Sequence, residues 1–175
     1  MRRHIARAAP VAMAFDCNLA TFGFPFDEGR RRESRNPDAV DLRTPVEVAQ
    51  FVGDSTTIGE GGEYVQQLAA SGRLMVFPFP APGFPPQLGR AVATTPHPEP
   101  SRRVAPIDVA RELAAGRSQL LVVGLGPRGL PAEVLAGCKA HLELTGRDVS
   151  LETATAIGAL PALITAHLAH LEAKA

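Results

Sequence analysis

The chain has no tryptophan and one tyrosine, Tyr64, so it offers no extended aromatic platform on which single-stranded bases could stack. Its two cysteines, Cys17 and Cys138, have no metal-ligand spacing and read as reduced thiols of a cytoplasmic protein. Charge of one sign is also missing: 18 basic residues stand against 18 acidic ones. That balance excludes a general polyanion binder and leaves nucleic-acid contact to local patches. Lys139 and Lys174 are the only lysines. No apolar stretch follows Met1-Arg2-Arg3, so a secretory signal is not expected. The longest uncharged run, Thr153 to Leu171, is interrupted by Thr, His, Gly and Pro. It reads as a buried helix or a subunit interface, not a membrane span.

What is present is an ordinary globular composition, 45% hydrophobic and 21% charged over 175 residues, which suits a single domain spanning residues 1–175. Arg2 to Ala9 looks helical and is expected to stop at Pro10, with a short strand over Val11 to Phe15. Thr21 to Phe26 is strand-like, and Asp27 to Thr44 reads as a flexible polar loop carrying Arg30, Arg31, Arg32 and Arg35. Thr44 should cap a helix that begins at Pro45. A turn at Gly59-Glu60-Gly61-Gly62 precedes a helix to Ala70 and a strand to Phe77. Beyond a proline-rich connection, strands are expected at Arg90–Thr94, Gln119–Val123 and His141–Leu144. Helices are expected at Ala105–Ala115 and Pro131–Ala136, with a long final helix capped by Ser150. Alternating strands and helices predict an α/β fold with a mostly parallel sheet and helices on both faces. Opening on a helix is unusual for this class: either a first strand is missing or the sheet is one strand short.

Gly124-Leu125-Gly126-Pro127-Arg128-Gly129 is a literal G-x-G-x-x-G after a strand, and Glu143 stands about where a ribose-binding acid would. A dinucleotide-binding oxidoreductase is therefore one reading. Against it, Pro131 should open the following helix, which leaves Gly129 outside it in a longer, flatter loop. Too little chain follows for the rest of a doubly wound half.

Three segments together resemble the SPOUT superfamily of RNA methyltransferases. Val92-Ala93-Thr94-Thr95 is similar to the segment opening the first cofactor-side loop, and Gly124 to Leu130 stands in the place of the glycine-rich loop. His141 to Glu152 is similar to the last motif, with Gly146 and Ser150-Leu151 in register. The whole chain also resembles a small uncharacterised archaeal family with the same Gly-Phe-Pro-Pro, Ala-Thr-Thr and Ser-Leu-Glu-Thr segments. The resemblance implies a C-terminal trefoil knot, a homodimer joined through the final helix, and S-adenosylmethionine as cofactor. It puts that cofactor at Thr94, Val123, Gly124, Gly126, Leu142, Leu144, Gly146, Ser150 and Leu151. Glycines let backbone approach a ligand closely, and the leucines could line an adenine slot.

Ribose methylases of the superfamily carry a Glu in the glycine loop and an Asn after the last Ser-Leu. Here Gly126 and Glu152 replace them, so a base nitrogen is as open an acceptor as a ribose hydroxyl. The candidate catalytic residues are Glu152 and Arg128, with Arg147, Asp148, Asp16 and Glu60 behind them. RNA contact would fall to Arg2-Arg3-Arg7, the Arg30–Arg35 cluster and Arg102-Arg103. His167 and His170 share a helical face without a third ligand, so no metal is expected. A non-catalytic protein that binds cofactor or RNA is the alternative from another class.

Overall fold

The structure, a computed structural model, describes residues 2–24, 44–55, 59–80, 83–126 and 129–174. Most of the predicted flexible loop over residues 27–44, with Arg30, Arg31, Arg32 and Arg35, lies outside the described residues. The fold divides into two compact units, Met1–Pro80 and Ala81–Ala175.

The first unit opens with α1 (Arg2–Ala14), which runs straight through Pro10. The helix stop at Pro10 and the strand over Val11 to Phe15 are thus corrected. An internal proline costs roughly 3 kcal/mol, but Ile5, Ala6, Ala9 and Ala12 form a stripe buried in the core of this unit. Continuing the helix keeps that stripe in one register. β1 (Leu19–Phe22) pairs in parallel with β2 (Leu74–Phe77). The paired Phe22 and Phe77 stack their rings at 5.2 Å. Between them lie α2 (Pro45–Ser55) and α3 (Gly61–Ala70). Thr44 caps α2 as expected: its hydroxyl accepts from the Glu47 N–H at 3.2 Å, while the Glu47 carboxylate accepts from the Thr44 N–H at 2.8 Å.

The second unit holds a four-stranded sheet of order β4-β6-β3-β5, every pair parallel. Its strands are β3 (Arg90–Thr94), β4 (Arg103–Val104), β5 (Gln119–Val122) and β6 (Ala140–Leu142). The two-residue β4 was not legible in a stretch read as polar loop. α4 (Pro106–Ala114) follows β4, and α5 (Ala132–Gly137) follows β5. Pro131 is the residue before α5 and not its first helical residue. Arg102 closes the far end of α5, donating to the carbonyls of Leu135, Ala136 and Cys138 at 3.4, 3.0 and 3.1 Å. A helix end leaves its carbonyls short of intrahelical donors, and the guanidinium supplements them.

α6 (Thr153–Glu172) packs on α4 and buries Leu160 and Ile164. By length and composition alone it could cross a membrane. Its start corrects a sequence expectation. Ser150 lies exposed in the preceding loop, and the capping residue is Glu152. The Glu152 carboxylate accepts from the N–H groups of Ala154 and Thr155 at 2.8 and 3.2 Å. A carboxylate also gains from the positive end of the helix, which a serine hydroxyl does not.

Candidate functional site

In a parallel α/β sheet ligands bind where the loops leave the carboxyl ends of the strands. In the second unit the pairings Ala93↔Val122 and Thr94↔Leu142 bring the ends of β5, β3 and β6 level. The Thr94 hydroxyl donates to the Val122 carbonyl at 2.9 Å, and the Thr95 N–H donates to the Leu142 carbonyl at 3.1 Å. Continuing the register puts Gly124 and Glu143 on either side of Thr95, ~10 Å apart at two strand spacings.

The glycine loop is compact. A Cβ built on Gly124 would lie 2.5 Å from the carbonyl carbon of Gly129, so the loop folds back on its own first residue. Gly129 stands before α5, outside the helix, as expected from the sequence. The turn is closed by the Gly129 N–H, which donates to the Gly126 carbonyl at 2.9 Å. Gly126 itself differs: its φ is not in the left-handed region, and a Cβ there meets nothing within 4 Å. Neither conformation nor packing requires glycine at that position.

The last loop, residues 143–150, is organised by two acids. Glu143 is only 5% exposed, and its Oε1 accepts from the Thr145 N–H and hydroxyl at 2.9 and 2.6 Å. Burial pushes its carboxyl up, but hydrogen bonds from Thr145, with the N–H groups of Gly146 and Asp148, outweigh that and hold it below the usual carboxylate range. Oε2 is buried and has no hydrogen-bond partner. Asp148, at φ 55, is paired with Arg103 at the start of β4. Gly146, at φ 69, sits in a conformation that favours glycine.

The predicted cofactor residues are distributed unevenly over this site. Thr94, Gly124, Gly126 and Gly146 lie in or beside the loops. Leu142 is 1% exposed inside the core with Val92, Val109 and Leu160, so only its backbone reaches the loop end. Val123 and Leu144 are half-buried against the same core. Ser150 and Leu151 are exposed, Leu151 at 36%. Of the catalytic candidates, Glu152 caps α6, and Arg128 lies outside the described residues.

The remaining charges are mostly tied into the fold. Asp16 pairs with Arg73 at 3.1 Å, and Glu60 accepts from the Tyr64 hydroxyl at 3.2 Å. Arg2 lies 5.1 Å from the centre of the Phe51 ring, and Arg102 and Arg103 make the contacts above. Sequence reasoning overlooked Thr145, which holds Glu143, and Thr153, whose hydroxyl donates to the Gly124 carbonyl at 3.3 Å. A hydroxyl two residues beyond a strand-end acid was the available signal. Among the described residues no group of three or more His, Cys, Asp or Glu side chains could hold a metal.

Comparison with known proteins adds family and fold. The profile of a family described as Protein of unknown function (DUF531) matches residues 1–165. An uncharacterised protein of Methanocaldococcus jannaschii is 37% identical over 163 residues, covering 93% of this chain and 82% of its own length. Among solved structures, a methylase family protein of Haemophilus influenzae Rd KW20 superposes over 99% of this chain with a TM-score of 0.60 at 15% identity. TrmJ of Z. mobilis ZM4 does so over 95% with a TM-score of 0.56 at 18% identity. The chain spans 64% and 65% of the lengths of those two proteins. The fold is similar to that of these methylases, and its parallel sheet with helices is the α/β arrangement the sequence led us to expect.

Proposed function

We propose a function for a chain that belongs to the family described as Protein of unknown function (DUF531): it is an S-adenosylmethionine-dependent methyltransferase acting on structured RNA, such as tRNA or rRNA. The observation that carries this is the bond between Thr153 and Gly124. β6 is separated from β5 by β3, yet the chain leaving β6 returns to the loop that follows β5. A crossing of this kind supports a knotted C-terminus and brings the 124–130 and 143–150 loops together as one cofactor site.

The residues present fit such a cofactor. Gly126 leaves open space where a side chain would stand, and Glu143 Oε2 is a buried acceptor without a donor. When bound, S-adenosylmethionine supplies an electrophilic methyl group. The 124–130 and 143–150 loops would hold its adenosyl part through backbone N–H and C=O groups and would exclude water from it. Transfer is an in-line displacement, so positioning of the acceptor does most of the work, with a base needed where a hydroxyl loses its proton. Arg128, on the glycine loop, and Glu152 are the chain's candidates for the acceptor side. RNA phosphates would meet Arg3, Arg7 and the Arg30–Arg35 segment.

α6 supports a homodimer. It is apolar around most of its surface, but within one chain only Leu160 and Ile164 are fully buried. A second copy is the occupant that would cover the rest. We place the protein in the cytoplasm on the same reading.

The test is mass spectrometry of modified nucleosides in RNA from cells lacking the gene, followed by incubation of that RNA with the protein and S-adenosylmethionine. A methylated nucleoside lost from the cells and restored in vitro supports the reading; no difference in either experiment overturns it. A second reading, a non-catalytic cofactor- or RNA-binding protein, is favoured by one observation. Glu152 already serves as the helix cap, accepting from two backbone N–H groups. Cofactor binding without transfer would select it.

A further inference from the structure

Glu143 is a costly residue for its position. A carboxylate removed from water needs each oxygen satisfied by donors or by an opposite charge. Oε1 has two donors, both from Thr145. Oε2 has none, although the side chain is only 5% exposed. The backbone N–H groups of Gly146 and Asp148 also lower the carboxyl, yet Oε2 has no partner at hydrogen-bond distance. The Arg103 guanidinium is held by Asp148, and the imidazole of His141 spans the Glu99 N–H and the Leu135 carbonyl at 3.2 and 3.1 Å.

The orphan atom lies at the carboxyl end of β6, one residue beyond the last paired position. This is the edge of a parallel sheet where ligands bind, and an acid just after a strand is suited to a pair of ribose hydroxyls. Across Thr95 stands the compact glycine loop, whose Gly126 leaves open space.

We infer that Glu143 is a ligand-binding residue, its Oε2 accepting a hydrogen bond from a ribose hydroxyl of the bound cofactor's adenosyl group. The inference rests on the proposed cofactor site for its choice of ligand and adds the residue that reads the sugar. Thr145 then has a defined part: by holding Oε1 it fixes the carboxylate so that Oε2 is the oxygen left for the ligand. No bond is made or broken, so the effect is on affinity and selectivity.

The experiment is calorimetric titration of the full chain with S-adenosylhomocysteine and with its 2'-deoxy and 3'-deoxy analogues, for the wild type, Glu143→Gln and Glu143→Ala. A hydrogen bond to a charged acceptor predicts that removal of the recognised hydroxyl weakens wild-type binding about tenfold or more. In Glu143→Ala the parent ligand and the analogues should bind alike, and in Glu143→Gln the difference should shrink. Glu143→Gln keeps size and shape, and its melting curve confirms a folded protein if Glu143→Ala does not fold. Equal wild-type affinity for all three ligands overturns the inference while leaving the cofactor site standing. So does a preference that survives at full size in both variants. Failure of the wild type to bind S-adenosylhomocysteine at all overturns the cofactor site itself, and the role of Glu143 with it.

Discussion

Gly61 packs against the backbone carbonyl of Ala6: a Cβ built on Gly61 would lie 2.4 Å from that oxygen. Ala6 is the residue four before Pro10, and proline has no N–H to give its carbonyl. The proline inside α1 and the glycine opening α3 are therefore two halves of one contact. Replacing Gly61 with alanine puts a methyl against rigid backbone. We expect a loss of about 2 kcal/mol, measured by urea unfolding, with the urea dependence unchanged. Gly59→Ala is the contrast: no packing atom stands within 4 Å of its Cβ, and its left-handed φ of 48 sets the only cost.

Gly124 and Gly126 should separate loop packing from ligand approach. A Cβ on Gly124 meets the backbone of Gly129 and Leu130 at 2.5 to 2.8 Å, so Gly124→Ala should both destabilise the chain and abolish cofactor binding. Gly126→Ala meets nothing within 4 Å. Its melting temperature should stay at the wild-type value while its affinity for S-adenosylmethionine falls, a split read by melting curves and calorimetry side by side.

Arg102 and Arg103 are adjacent but should behave differently. Arg102→Ala strips three carbonyls at the end of α5 of a shared charged donor and should cost about 2 kcal/mol. The ion pair of Arg103 with Asp148 is half-exposed on both sides and should contribute under about 1 kcal/mol. Chemical denaturation of the two variants checks the order.

The two thiols differ in access. Cys17 is exposed, whereas Cys138 is fully buried, and burial pushes its thiol up to about 11 despite the nearby Arg102. In Ellman's assay one thiol per chain should react in the native protein and the second only after unfolding. Rapid reaction of both in the native state would contradict the burial of Cys138.

Glu143 should also shape the acid limit of stability. Its folded carboxyl is held below the ordinary value of 4.5, so its contribution is present above that value and is lost as pH falls through the lower folded one. Melting temperature followed from about pH 6 down to about pH 3 should fall less steeply for Glu143→Gln than for the wild type.

Much of this arrangement was legible in the sequence because local chemistry decides it. Thr44 before Pro45 and Glu47 reads directly as a helix start. The strand ending at Thr94 and the apolar run from Gln119 are β-branched or leucine-rich between turn residues. Three features escaped because they depend on distant partners. Pro10 continues a helix only because the Ile5–Ala12 stripe is buried. β4 is two residues long and exists through its pairing with β6. Glu152, not Ser150, caps α6 because the chain must first cross to Gly124, which moves the helix start to Thr153. In the candidate site the glycine loop was found by motif, whereas the unpartnered oxygen of Glu143 is visible only once Thr145 is seen to hold the other.

The most direct test of the account is calorimetric titration of the purified chain with S-adenosylmethionine, S-adenosylhomocysteine and NADH in parallel. The account predicts that both methionine-derived ligands bind at one site per chain, that NADH does not, and that Gly124→Ala abolishes the binding. Binding of NADH alone, or of none of the three, would contradict it.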